Sequence, residues 1–146
     1  MALSRLDNAI RMAVVAHAGQ TDLADQPYIL HPLRVMLAME AEDERVVAVL
    51  HDVLEDCSCY TEGDIRFLFG DTVADAVSAL TRQEGETYSD FIIRCRENPI
   101  AARVKLGDIK DNMSPSRSSS LKLSHKMRYE AAIKVLSGRA ALRERE

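Results

Sequence analysis

Four ionisable side chains fall within seven residues in the run "LHDVLED" (Leu50 to Asp56), and the other three are Val and Leu. No other stretch constrains the fold as much, because the run must lie against a hydrophobic core while carrying His51, Asp52, Glu55 and Asp56. Ionised groups in apolar surroundings are costly unless they are paired, hydrogen-bonded or bound to metal. The run therefore asks for a metal, and the remaining ligands must come from elsewhere in the chain. Read as one continuous helix, "ERVVAVLHDVLED" sets His51 four residues from Glu55 and Asp52 four from Asp56, so both pairs share a surface. Its valines would also fit a strand. Its length, the acids at its start and the lack of a pairing partner favour helix.

The rest of the chain reads as helices around that one. With 146 residues, nearly half apolar and few Gly or Pro, it suits a single all-α domain over residues 1–146, a bundle of about seven or eight helices. Leu6, Ile10, Ala13, Val14 and His17 form one helical stripe, with a stop at Gly19. "TDLADQPYI" reads as a loop because Pro27 biases Gln26 away from helix, and helix resumes at "LHPLRVMLAM". The acids Glu42, Asp43 and Glu44 suit the first turn of the central helix. Thr61 with Asp64 resembles a cap, Gly70 closes a short helix, and Asp71 caps the next, whose Val73, Ala74, Val77 and Leu80 form a stripe. "TYSDFIIRCRE" is another helix, and Asn98-Pro99 is a cap followed by Pro at the first helical position. "SPSRSSS" reads as a flexible loop, a last helix runs from about Leu121 to Leu136, and "RAALRERE" is expected to fray.

Charge is unevenly spread. Residues 1–100 carry 8 Lys/Arg against 18 Asp/Glu, and residues 101–146 carry 11 against 5. An acidic body with a basic end suits an anionic ligand gripped partly by the C-terminal third, or simply solvated faces that differ. No arginine-rich or aromatic-interleaved surface points to nucleic acid. No apolar run reaches ~18 residues, so no membrane span is expected, and no signal peptide is read at the start. Three cysteines, Cys57, Cys59 and Cys95, have no framework spacing and suit a reducing cytoplasm. Cys57-Ser58-Cys59 could be a metal clip, but no second Cys or Cys-His pair completes one.

Candidates for the missing ligands are His17, His31, His125 and the carboxylates outside the run. Asp108 is one of these, with Asn112 one turn later on the same face. Mixed imidazole and carboxylate donors suit a borderline divalent ion such as manganese or iron, with zinc possible.

The ordered blocks "AHAGQ", "QPYILHPLRV", "VLHDVLEDC", "FGDTVADAVSALT" and "ARVKLGDIKDN" resemble the hydrolase domain of the Rel/Spo alarmone enzymes. They look most like the stand-alone small alarmone hydrolases, within the HD-domain metal-dependent phosphohydrolases. The resemblance runs from about residue 5 to 113, and loosely to 137. It implies an all-helical HD-domain bundle and one manganese ion, or another divalent metal, on His31, His51, Asp52 and Asp108. It also implies that Glu55 and Asp56 hold and activate the attacking water, and that Asn112 lies near the sugar of a bound nucleotide. Lys105 would meet substrate phosphates or pair with Asp108, Lys126 and Tyr129 are further substrate contacts, and His17 is expected as a structural hydrogen-bonder.

The implied reaction removes the 3′-diphosphate of a (p)ppGpp-type alarmone as pyrophosphate, leaving GDP or GTP. The cation would supply an activated water and neutralise phosphoryl charge. The partner is then a small nucleotide, with neither nucleic acid nor membrane involved, in the cytoplasm. With no synthetase domain, the expected activity is degradation only. Two positions depart from the family pattern. Thr21 and Asp22 stand where an Arg stacks on guanine, a contact worth roughly 0.5–2 kcal/mol, and Asp111 replaces an aromatic or His. Neither departure is expected to touch the metal or the acid pair. The first leaves open a phosphohydrolase of another nucleotide, such as an adenine alarmone, NADPH or a nucleoside phosphate.

Overall fold

A computed structural model describes residues 1–115, 117 and 121–138. Among these the secondary structure is helical, apart from one isolated bridge between Thr21 and Pro27. The expected starts at Thr61 and Asn98 are present with their caps, and Ser4 and Thr87 cap two further helices. The Ser4 hydroxyl accepts from Asp7 N–H and Asp7 accepts from Ser4 N–H, opening α1 (Arg5–Ala16). The same reciprocal pair, Thr61 with Asp64, opens α5 (Glu62–Phe69). Thr87 caps α7 (Tyr88–Arg96), and Asn98 caps α8 (Pro99–Asn112) with Pro99 at its first position.

The core is built around α3 (Glu42–Leu50). Val46, Val47, Ala48, Val49 and Leu50 are all fully buried, so this helix is apolar on every side of its second half. Each such Val or Leu contributes about 1.5–3 kcal/mol of burial. Against α3 pack α1, α2 (Leu30–Leu37), α6 (Asp71–Ala79) and α8, while α7 and α9 (Leu123–Leu136) close the far side of α8.

Four local expectations are corrected. The helix expected across "ERVVAVLHDVLED" breaks after Leu50, and a separate single turn, α4 (Val53–Asp56), carries the acid pair. The His51 ring Nδ1 takes the Ala48 carbonyl at 2.6 Å, and Asp52 turns to φ −104°, ψ 0°, outside the helical region. Val14 is half exposed; the buried stripe of α1 is Ala9, Met12, Ala13 and Ala16 instead. Gly70, at φ +92°, occupies the cap before α6, and Asp71 is the first helical residue. Cys57 and Cys59 are joined as a disulfide, since the turn through Ser58 brings their Cα atoms to 5.4 Å. That pairing was absent from the reading of the cysteines. Cys95 is a buried free thiol, pushed up to about 11 by burial. Most of "SPSRSSS" (116 and 118–120) and all of "RAALRERE" (139–146) lie outside the described residues.

One close approach sets the spacing of the site. A Cβ on Gly107 of α8 would stand 2.9 Å from Met39 Cε and 3.3 Å from Val35 Cγ1. Val35 is β-branched, stiff and almost wholly buried, so it cannot give way as the Met tip can. Gly107→Val is therefore expected to cost about 1–3 kcal/mol through overpacking. Because α2 carries His31 and α8 carries Asp108, it should also weaken divalent-metal binding. Chemical denaturation and Mn2+ titration of the same variant check both; wild-type metal affinity would show that this contact does not set the site's spacing.

Candidate metal centre

His31, His51 and Asp108 come from three different elements, yet their ligand atoms lie within 4.8 Å of one another, and all three residues are buried. His31 is the second residue of α2, His51 closes α3, and Asp108 stands in the third turn of α8. His31 Nε2 is 2.9 Å from Asp108 Oδ1, and His51 Nε2 is 3.5 Å from the same oxygen. Asp52 completes the group, its Oδ2 lying 3.0 Å from His51 Nε2 and 3.8 Å from His31 Nε2. The break between α3 and α4 makes this possible, because it turns Asp52 toward the same point as His51.

Each imidazole is oriented from behind. His51 Nδ1 faces the Ala48 carbonyl, which can only accept, so Nδ1 carries the hydrogen and Nε2 turns inward. His31 Nδ1 likewise meets the Asp111 carboxylate at 2.6 Å. His51 Nε2 is buried without a hydrogen-bond partner, although the Asp52 oxygen stands close by. An orphaned buried nitrogen facing two carboxylates and a second imidazole fits a divalent cation.

Further groups support the carboxylates. The Tyr28 hydroxyl donates to Asp52 Oδ2 at 2.5 Å. Lys105 Nζ donates to Asp108 Oδ2 at 2.8 Å, and Asn112 Nδ2 donates to Asp108 Oδ1 at 3.2 Å. Burial alone would push both aspartates up. For Asp52 the charge that His51 carries in the metal-free centre outweighs burial, leaving it at about 2. For Asp108 the charge of Lys105, foremost, outweighs burial, so it lies well below the carboxylate range.

Glu55 and Asp56 sit at the rim. Glu55 Oε1 accepts from the Arg82 backbone N–H at 2.7 Å. The Asp56 backbone carbonyl accepts from Gln20, whose Oε1 lies 2.9 Å from His17 Nδ1. His17 is thus buried and structural, as expected of it. Both rim carboxyls are pushed up, chiefly by burial and further by the charge of Asp52. They move in the same direction.

Two clefts flank the centre. One, of about 400 Å³, is lined by Glu55, Arg82, Lys105, Asn112, Arg128 and Tyr129 among others. The other, of about 390 Å³, includes Asp22, Tyr28, Asn112, Arg117, His125 and Tyr129. Asn112 and Tyr129 are common to both, which places two of the expected substrate contacts where the clefts meet. Lys126 is exposed on α9 and lines neither cleft. Asp22 is engaged by the backbone N–H groups of Ala24 and Gln26, while Arg117 lies over the Tyr28 ring at 5.2 Å.

Three residues of the site went unread in the sequence. Tyr28 and Arg82 carry no local signal of their contacts. Asp111 was set down as a departure away from the metal, yet it touches His31. Its spacing of three from Asp108 on a helix was the available hint.

Comparison with known proteins points to a family. A family model described as HD domain matches residues 9–103. The chain is 31% identical over 120 residues to the guanosine-3′,5′-bis(diphosphate) 3′-pyrophosphohydrolase of Aquifex aeolicus, covering 74% of this chain and 17% of that protein. It is 31% identical over 126 residues to the bifunctional (p)ppGpp synthase/hydrolase SpoT of Escherichia coli, covering 76% of this chain and 18% of that one. The chain thus spans less than a fifth of these curated relatives. It is also similar in fold to a solved structure described as a metazoan ortholog of SpoT that hydrolyzes ppGpp. There the TM-score is 0.71 at 22% identity, covering 92% of this chain and 85% of that one.

Proposed function

The chain belongs to the HD domain family, and on that premise we propose that it is a metal-dependent phosphohydrolase removing the 3′-diphosphate of a (p)ppGpp-type alarmone as pyrophosphate, leaving GDP or GTP. The observation that carries this reading is the convergence of His31, His51, Asp52 and Asp108 on one buried point beside two clefts. These four residues would hold the ion. Two imidazoles with two carboxylates suit manganese, with iron or zinc as other occupants. When bound, such a cation supplies Lewis-acid stabilisation of phosphoryl oxygens and a lowered pKa for water.

The chain's own residues supply the rest. Glu55 and Asp56 would take a proton from the attacking water and return one to the leaving oxygen, a role that their raised proton affinity supports. Arg82 N–H holds Glu55 in place, and the Gln20–His17 pair buttresses the Asp56 backbone. Lys105 keeps donors toward the first cleft beyond the one given to Asp108. Asn112 and Tyr129, at the junction of the clefts, would face the sugar. Lys126 would act only at the outer edge.

A second reading rests on Asp22, which faces the second cleft where a base-stacking cation is absent from that loop. It makes the substrate another phosphorylated nucleotide. Among the described residues no helix is long and apolar enough to cross a membrane. A cytoplasmic nucleotide pool is the setting that goes with either substrate class.

Purified protein with Mn2+ should release pyrophosphate from ppGpp in a chromatographic panel with pppGpp, pppApp, NADPH and nucleoside monophosphates. Free phosphate from NADPH with ppGpp untouched would select the second reading.

A further inference from the structure

Asp111 stands one turn beyond Asp108 on α8, buried to all but about a tenth of its side chain. Its two oxygens face two residues of α2 that are themselves three apart. Oδ2 lies 2.6 Å from His31 Nδ1, and Arg34 grips both oxygens, Nε to Oδ1 at 2.8 Å and Nη2 to Oδ2 at 3.2 Å. A two-point Arg contact fixes the plane of the carboxylate and stops it rotating. Arg117 Nη1 lies 4.0 Å from Oδ2. The clamped oxygen faces one ring nitrogen, and because a carboxylate only accepts, His31 carries its hydrogen on Nδ1.

We propose that Asp111 is a positioning residue of the metal centre: held by Arg34, it fixes the His31 ring and the tautomer that presents Nε2 to the cation. The inference rests on the metal-centre reading above. A carboxylate behind a ligating histidine raises the basicity of the ligand and locks its orientation, and loss of such a partner typically weakens metal binding about 10–100-fold. Asn cannot replace it. One of its two polar ends is an amide donor, which would face either His31 Nδ1–H or the Arg34 guanidinium, so one contact becomes donor against donor.

The test is a Mn2+ titration of metal-free protein, following the electron paramagnetic resonance signal of free aqueous Mn2+. Asp111→Ala and Asp111→Asn should bind about 10–100-fold more weakly than wild type, and Arg34→Gln should show a smaller loss. In Zn2+-loaded protein with 15N-labelled histidine, the His31 Nδ1–H should be protected from exchange in wild type and broadened in Asp111→Ala. Thermal unfolding of the metal-free proteins runs alongside. If the variants melt earlier but keep wild-type Mn2+ affinity and a protected Nδ1–H, Asp111 only ties α2 to α8 and the proposal is overturned. Should wild type itself bind no Mn2+, the metal-centre reading and this proposal fall together. If Asp111→Ala does not fold, Asp111→Asn and Arg34→Gln carry the same comparison.

Discussion

Asp52→Ala should lower pyrophosphate release from ppGpp in the presence of Mn2+ by at least ~10³-fold, because the cation's share of transition-state stabilisation is several kcal/mol. The substitution is informative because Asp52 is the ligand least involved in holding the fold. Its side chain is about 15% exposed, and among the described residues its donor beyond the centre is the Tyr28 hydroxyl, itself only partly buried. Losing that hydrogen bond costs about 1 kcal/mol, so the variant should stay folded while its affinity for Mn2+ drops. Asp52→Asn keeps an acceptor for Tyr28 and removes the charge, which separates the ligand role from the hydrogen bond. Both variants should be inactive, and urea unfolding should place Asn closer to wild type than Ala. Retention of activity within tenfold in both would mean that the four side chains do not act as one centre.

The second large effect is expected at Lys105. Its ammonium lies over the Phe91 ring at 5.1 Å and donates to Asp108. Burial would lower its proton affinity, yet the neighbouring Asp108 holds it well above the ordinary lysine range. Lys105→Met leaves the buried Asp108 carboxylate without its cation, and breaking such a pair costs about 3–5 kcal/mol. Saturating Mn2+ should recover much of that loss, because the ion supplies Asp108 with another positive partner and binds only the folded chain. Lys105 also lines the first cleft. A charge-assisted contact to a phosphate is worth about 1.5–3 kcal/mol, so KM should rise about tenfold or more. Urea unfolding with and without Mn2+ reads the first role and steady-state kinetics reads the second. An unchanged KM would confine Lys105 to the ion pair, and an unchanged unfolding midpoint would remove the ion pair's structural importance.

How much of this was legible in the chain differs from element to element. Helix starts at Ser4, Thr61, Thr87 and Asn98 obey local rules, since a cap is a contact within three or four residues. The stripe Val73, Ala74, Val77 and Leu80 is buried as its periodicity predicts. The break at His51 and Asp52 was not legible. Helix propensity in "VVAVLHDVLED" is continuous, and the interruption arises because the His51 ring competes for a backbone carbonyl while Asp52 is drawn to Tyr28. Val14 misled for a related reason, as the apolar stripe of α1 is wider than the face that α3 covers.

Residue chemistry and order along the chain were enough to determine an all-helical fold and to mark "LHDVLED" as a run whose charges need partners, a cation among them. Both follow from local propensity and from the cost of burying charge, which any window of sequence displays. Tertiary structure alone decided how His31, His51, Asp52 and Asp108 meet at one point, and that Asp111 stands behind His31. The segments that carry these residues lie tens of positions apart, and the packing of α2, α3 and α8 brings them together, down to the missing side chain at Gly107.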